Sequence, residues 1–308
     1  MHEAWQTGWP RPSEFYGYVP QKRRLYHHKN RLIFGVLILT PLIFIFVWGW
    51  LYLVKVPIVP PNVSALPLVS SAVEIKSVPD NSQPLQALLS SWAAAHPAQQ
   101  WGIDVRQLNG GASKASHNPN QQFFPASIYK LLVMGSLLGK LPYSEWDKTI
   151  DKSGPTYAAC VDRMIRHSDN PCGVAIGRFV GWKNADINLK NIGLSNTRLS
   201  GDADSLHTTA ADVSLYLQEF YTDNRYPQAK QSVMTSMSRQ IYKKGIQAGS
   251  PGCTVYDKIG DLDGVRHDAA IVECPDSAYI LTILSRGGSY AQIADLSQRV
   301  NTVLTNTN

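Results

Sequence analysis

A serine and a lysine three residues apart, Ser127-Ile128-Tyr129-Lys130, open the apolar run Leu131-Leu132-Val133-Met134. If that run is helical, positions i and i+3 share one face one turn apart, and the lysine amine reaches the serine hydroxyl. Pro125 suits the first turn of such a helix, where no N–H is needed. Ser127 then stands at the positive end of a helix beside a buried amine. A neighbouring base removes the hydroxyl proton, and nearby dipoles stabilise the charge that develops; a poor nucleophile becomes a good one. Alone the pair says little, because S-x-x-K arises by chance in a chain of this length. Its ordinary reading is a helix N-cap with a solvated lysine.

Two further stretches keep it company. Ser168-Asp169-Asn170 follows the helical run Cys160 to Arg166. A serine that shuttles a proton and an asparagine that holds an amide both serve acyl transfer; the same residue types also build turns. Asp257-Lys258-Ile259-Gly260 closes a strand that would line a groove. Its lysine offers a fixed positive charge, and its glycine allows a substrate backbone to come close.

The elements that must position these residues begin near Leu85. Leu85 to Trp92 has helical spacing, ending at Pro97. Trp101 to Leu108 alternates as a strand does, and Asn109-Gly110-Gly111 reads as a hairpin turn into a second strand that leads to Phe123-Phe124. Helical segments run from Ser127 to about residue 245, with an irregular stretch near 195–208. Val255–Lys258, His267–Val272 and Tyr279–Ser285 read as three strands, and Tyr290–Leu304 as a closing helix. The predicted class is α+β: an antiparallel five-stranded sheet flanked by helices, with an all-α subdomain, the first and last segments meeting in one sheet.

Ahead of this domain (84–308) the chain changes character. Residues 32–54 are 23 residues without a charge, which at ~1.5 Å per residue span roughly 34 Å, enough for a bilayer core. Trp48, Trp50 and Tyr52 cluster at the far end, and Lys22-Arg23-Arg24, Lys29 and Arg31 flank the near end. This pattern predicts an uncleaved single-pass anchor with residues 1–31 in the cytoplasm and the domain outside. The Pro- and Ser-rich stretch 55–83 reads as a semi-extended spacer. The formal net charge is +6, but residues 1–31 hold six Lys/Arg against Glu3 and Glu14, leaving 23 basic against 21 acidic residues beyond them. The domain itself is nearly neutral, which argues against a nucleic-acid partner.

All four cysteines, Cys160, Cys172, Cys253 and Cys274, fall on the outer side, where disulfides form. Cys253 and Cys274 lie symmetrically about a hairpin centred near Asp263-Gly264, and Cys160 and Cys172 flank one helix–turn–helix stretch. The pairs 253–274 and 160–172 are therefore favoured over the other connectivities; four buried thiols are the alternative. No Cys/His spacing resembles a metal site, and no cofactor is implied.

Ser127-Ile128-Tyr129-Lys130, Ser168-Asp169-Asn170 and Lys258-Ile259-Gly260 together resemble the three signatures of the penicillin-recognising serine enzymes, most closely the class A β-lactamases and their penicillin-binding-protein relatives. The likeness spans about residues 85–305. It implies that Ser127 is the acylated nucleophile and Lys130 its base. Ser168 passes a proton to the leaving amine, aided by the charge of Lys258, and Asn170 binds the substrate's side-chain amide. The oxyanion hole is the backbone N–H of Ser127 and that of Asp261. Arg266 falls where class A enzymes keep an arginine for the substrate carboxylate; an exposed strand-edge charge is the other reading. The implied partner is a β-lactam or the D-alanyl-D-alanine end of a cell-wall peptide.

Two departures from the family pattern stand out. Ile259 replaces the Thr or Ser whose hydroxyl helps bind the substrate carboxylate. The loop Ser200 to His207 is short and lacks the glutamate that activates the deacylating water, and no glutamate occurs between Glu145 and Glu219. Asp202 or Asp204 could stand in, with side chains one methylene shorter. The expectation is an enzyme that is acylated well and deacylates poorly, of carboxypeptidase or transpeptidase type. A true class A-type β-lactamase and an idle muropeptide- or partner-binding envelope protein are the alternatives.

Overall fold

The computed structural model describes residues 80–108 and 113–305. The basic tail, the apolar span 32–54, the spacer up to residue 79 and the turn at 109–112 lie outside the described residues. Among the described residues no helix is long and apolar enough to cross a membrane.

Helix α1 (Ser82–Ala94) starts two residues inside the stretch read as spacer. The Asp80 carboxylate accepts from the Ser82 N–H at 2.9 Å and from its hydroxyl at 2.6 Å, which begins the helix early. Strands β1 (Gln100–Gln107) and β2 (Lys114–His117) follow. A 3₁₀ turn, Ala126–Ile128, leads into α2 (Tyr129–Lys140). Helices α3 (Tyr157–Arg166), α4 (Asn170–Val180), α5 (Trp182–Asn191), α6 (Ala210–Thr222) and α7 (Pro227–Ser238) form the helical layer. A short α8 (Ile246–Gly249), β3 (Thr254–Leu262), β4 (Val265–Glu273), β5 (Ala278–Arg286) and α9 (Tyr290–Thr305) complete the domain.

The five strands form one antiparallel sheet in the order β2-β1-β5-β4-β3. β1 and β5, far apart in sequence, pair along their whole length from Gln100↔Arg286 to Gln107↔Tyr279. β5 is central and buried at every position except Arg286, so it reads as a largely apolar run broken by Thr282 and Ser285. One sheet face packs Val105, Val272, Leu281 and Ile283 against Leu89 and Trp92 of α1 and Leu296 and Val300 of α9. On the other, Ala269, Ile271 and Ile280 join the core of the helical layer. α2 is the centre of that layer: Leu131, Leu132, Val133 and Met134 are all fully buried, as expected of a helix apolar on every side. Each such side chain contributes about 1.5–3 kcal/mol by leaving water.

The second strand is shorter than the sequence suggests. It ends at His117, because Asn118 (φ 45°) and Pro119 turn the chain out of the sheet. Phe123 pairs instead with Thr208 in an isolated antiparallel bridge, with both N–H to O distances 2.9 Å. That bridge ties the loop between α5 and α6 to the chain entering the Ser127 turn. Cys160–Cys172 joins α3 to the first turn of α4, and Cys253–Cys274 closes the open end of the β3–β4 hairpin.

Candidate active site

Ser127 sits in the 3₁₀ turn at the head of α2, next to Ala126 at φ 44°. A left-handed, non-glycine residue at that point is a local strain held by its surroundings. Lys130 comes one turn later on the same face, with its Nζ 2.9 Å from Ser127 Oγ. The amine also lies 2.6 Å from the Ser168 carbonyl oxygen, 2.6 Å from Asn170 Oδ1 and 3.4 Å from Ser168 Oγ. α4 can press this close because residue 173 is glycine: a Cβ there would stand 2.6 Å from the Tyr129 hydroxyl and 2.8 Å from Lys130 Cε. Lys130 is therefore fully buried. Burial first, and the nearby Lys258 charge second, pull its pKa down to about 6 against the opposing pull of Asp169. A neutral amine at pH 7, within hydrogen-bond reach of a hydroxyl, has the geometry and the pKa of a general base.

The second motif is a turn stretched between two helices. Ser168 is left-handed, φ 58°. Asp169 caps α4 by accepting the Cys172 N–H at 2.8 Å, and its other oxygen takes the Arg163 guanidinium at 3.0 Å. The cap fixes Asn170 as the first residue of α4, where its side chain orients Lys130. Ser168 Oγ lies 3.0 Å from Lys258 Nζ, which also donates to the Ile259 carbonyl at 2.7 Å. Lys258 is fully buried, and burial lowers its pKa to about 7 while Asp257 and Asp268 push it back up.

The third motif lies on β3, the free edge of the sheet. Leu262 and Val265 flank a two-residue turn, Asp263 and Gly264 at φ 30° and 75°, the signature of a type I′ hairpin. Ladder bonds alternate from that closing pair, so Asp261, opposite Arg266, sends its N–H away from β4 and out over the edge. Ser127 and Asp261 line one cavity of about 390 Å³. The first N–H groups of a helical turn are unused, so both amides suit a developing oxyanion.

Two expectations change here. Gly260 faces inward: a Cβ would meet His267 Cβ, His267 Cδ2 and Ile128 Cγ1, each at 3.2 Å. The glycine lets the Ser127 turn pack closely on β3. Arg266 is no isolated charge: its Nη1 lies 2.9 Å from the Asp261 carboxylate and 2.9 Å from the Val265 carbonyl, in a half-exposed pair at the strand edge. Ile259 does line the cavity, at 4 % exposure. Asp202 and Asp204 are exposed in a one-turn 3₁₀ segment, Ala203–Ser205, and do not line it. The loop before them is anchored by Asp186, which accepts from the Leu199 N–H at 2.6 Å and the Ser200 hydroxyl at 2.5 Å.

The cavity also holds residues that carry no sequence signal: His167, Tyr242, Lys244 and Tyr290. Among the described residues no cluster of three or more His, Cys, Asp or Glu side chains is placed to hold a metal.

Residues 82–306 match the model of the beta-lactamase enzyme family. A beta-lactamase of Bacillus subtilis (strain 168) is 26% identical over 249 residues, covering 70% of this chain and 81% of that protein. Beta-lactamase 1 of Bacillus cereus is 29% identical over 218 residues, covering 59% and 71%. Among solved structures, PBP-A superposes with a TM-score of 0.61 at 19% identity, covering 71% of this chain and 95% of that one. An ancestral class A beta-lactamase of Gram-negative bacteria superposes with a TM-score of 0.63 at 18% identity, covering 73% and 100%. At these identities the superpositions speak for the fold.

Proposed function

The chain is a serine hydrolase that belongs to the beta-lactamase enzyme family, and we propose that it forms an acyl-enzyme on Ser127 with β-lactams and with the D-alanyl-D-alanine end of wall peptides. The observation that carries this reading is one buried amine in reach of two hydroxyls: Lys130 Nζ stands 2.9 Å from Ser127 Oγ and 3.4 Å from Ser168 Oγ. Ser127 Oγ attacks the carbonyl carbon as its proton passes to Lys130 Nζ. The oxyanion sits between the N–H groups of Ser127 and Asp261. The C–N bond then breaks, and the leaving nitrogen takes a proton from the Ser168 hydroxyl. Lys130 returns its proton to Ser168, and Lys258 holds that serine in place throughout.

Release of the acyl group needs a second base, set to activate water. Among the described residues Asp261 is the one carboxylate lining the cavity, and it is engaged by Arg266. This supports slow deacylation and a carboxypeptidase- or transpeptidase-like role. The names of the Bacillus relatives favour a second reading, rapid β-lactam hydrolysis. Intact-mass spectrometry with benzylpenicillin separates the readings. An adduct on Ser127 lasting minutes or longer is expected. Turnover within seconds would favour a β-lactamase, and a folded wild type that takes no adduct and consumes no benzylpenicillin sinks both.

We also propose that residues 32–54 anchor this domain on the outer side of a bacterial cytoplasmic membrane. The basic flank of that span and the two disulfides, which suit an oxidising compartment, support it. Protease added to intact spheroplasts should remove the domain while sparing the tail; a protected domain argues for the opposite orientation.

A further inference from the structure

We infer that His267 is a positioning residue for the oxyanion hole: through the Phe124 carbonyl and Gly260 it sets how far apart the N–H groups of Ser127 and Asp261 stand, which rests on the acyl-enzyme reading above. His267 lies on β4, is fully buried and does not line the cavity. Ser285 of β5 donates its backbone N–H to His267 Nδ1 at 3.1 Å. An amide N–H can only donate, so Nδ1 carries no proton and the ring proton is on Nε2. Nε2 therefore donates to the Phe124 carbonyl oxygen, 2.9 Å away. Burial keeps the imidazole neutral, lowering its pKa to about 4 against the opposing pull of the Phe124 and Arg266 carbonyls. A second proton, on Nδ1, would set one donor against another at the Ser285 N–H.

Both contacts fall where the oxyanion hole is built. Phe124 enters the turn that carries Ser127, and Ala126 within that turn is held at φ 44°. Left-handed backbone at a non-glycine residue costs about 1–3 kcal/mol and persists only when its surroundings hold it. The Phe123–Thr208 bridge grips the chain on one side of Phe124, and His267 grips the Phe124 carbonyl. Pro125, which follows, has no N–H with which to add another tie. On its other side His267 pairs with Gly260 in the β3–β4 ladder, next to Asp261. A Cβ on Gly260 would meet His267 Cβ, His267 Cδ2 and Ile128 Cγ1, each at 3.2 Å. Imidazole, edge strand and nucleophile turn thus meet at one point, with Ser127 beside Ile128 and Asp261 beside Gly260. One rigid ring, held by β5, fixes the two amides relative to each other, and oxyanion donors act through such preorganisation.

The test compares two partial substitutes for the ring. Glutamine can place an N–H donor where Nε2 stands; asparagine can place an acceptor where Nδ1 stands but falls short of Phe124. Benzylpenicillin labelling, followed by intact mass over a range of concentrations, separates the binding constant from the first-order acylation rate. His267→Asn should lower that rate about 10²-fold, as for an oxyanion donor misplaced by roughly 1 Å. The binding constant should stay within about twofold, because the hole is used only once the oxyanion forms. His267→Gln should restore most of the rate. Affinity for phenylboronic acid, whose boron bonds to Ser127 Oγ and turns an oxygen toward the two amides, should fall and recover in parallel. Replacing Cys253 and Cys274 together by alanine gives the control, a loss of stability away from the site. Whether or not His267→Asn folds, NMR of the imidazole nitrogens in the wild type should show a neutral ring protonated on Nε2. A ring protonated on Nδ1, a His267→Asn enzyme of wild-type rate, or Asn and Gln variants slowed alike in step with their lost Tm overturns the inference and leaves the acyl-enzyme reading standing. A folded wild type that takes no adduct and consumes no benzylpenicillin overturns both.

Discussion

Lys130 Nζ and Ser127 Oγ lie 2.9 Å apart, with the amine sealed from water beneath α4. Catalysis by this pair requires Lys130 neutral while Lys258, 3.0 Å from Ser168 Oγ, keeps its proton. The first condition is met as pH rises through about 6, and the second fails as pH passes about 7. The acylation rate should therefore rise and then fall, with a maximum between these values. The two limbs belong to the coupled pair of amines, not to either alone. Lys130→Ala should cost about 10²- to 10⁴-fold in acylation. A rate that climbs without a maximum to pH 9 would remove Lys258 from the reaction.

The Cys160–Cys172 bridge bears on the same chemistry. Its sequence separation of 12 encloses Ser168, Asp169 and Asn170, whereas Cys253–Cys274 closes a hairpin end beyond the site. A loop of this size is worth about 3 kcal/mol against the unfolded chain. Replacing Cys160 and Cys172 with alanine should lower stability by about that amount and slow acylation as well, because the turn holding Ser168 loses a tether. Replacing Cys253 and Cys274 should lower stability with little change in acylation rate per folded molecule. Thermal melts and penicillin labelling, run side by side, separate the two effects.

Part of this site is legible in the sequence because each part is local. Pro125 and the apolar run announce α2, Ser168-Asp169-Asn170 announces a turn, and alternation announces β3. The α+β class follows from the same signals, as does one sheet joining the first and last segments, but not the register that pairs β1 with β5, a contact between distant parts of the chain. Lys244, Tyr290 and the packing role of Gly173 do not, since they come to the site by the stacking of α4, α8 and α9 against the rest, which no local period encodes. The Asp261–Arg266 pair is hidden for a related reason: it exists only in the hairpin register. Gly260 is legible as a close approach, while its packing against Ile128 appears only in the fold.

Asp257 and Asp268 lie on one face of the β3–β4 ladder, both fully buried. Among the described residues neither Asp257 side-chain oxygen nor Asp268 Oδ1 has a hydrogen-bond partner. Burial first, and for Asp257 also the charge of Asp268, raises both pKa values, that of Asp268 to about 7. The ionised form is therefore penalised in the folded state. That penalty is absent below the unfolded carboxylate range near ~4 and grows as pH rises toward the folded values. Asp257→Asn, which breaks no existing bond, should raise Tm at pH 8 by about 2–4 °C for each kcal/mol recovered and leave it unchanged at pH 4. It should also shift the falling limb of the acylation profile to lower pH, since Asp257 is the group that most supports the charge on Lys258. A melt that shifts equally at both pH values would mean the carboxyl group is not titrating.

Ile259 offers the most direct handle on what the cavity accepts. It lines the cavity at 4 % exposure on an edge strand, between Lys258 and Gly260. Threonine keeps the β-branch that the strand favours and adds one hydroxyl, so the backbone should be undisturbed. The buried hydroxyl should cost about 1–3 kcal/mol of stability in the free protein. With a carboxylated substrate bound, it gains an acceptor, and the acylation rate should rise about 3- to 10-fold, within the range of a single hydrogen bond. A substrate whose carboxylate is replaced by an uncharged amide should lose most of that gain. A slower Ile259→Thr enzyme would show that the isoleucine packs against an apolar part of the substrate.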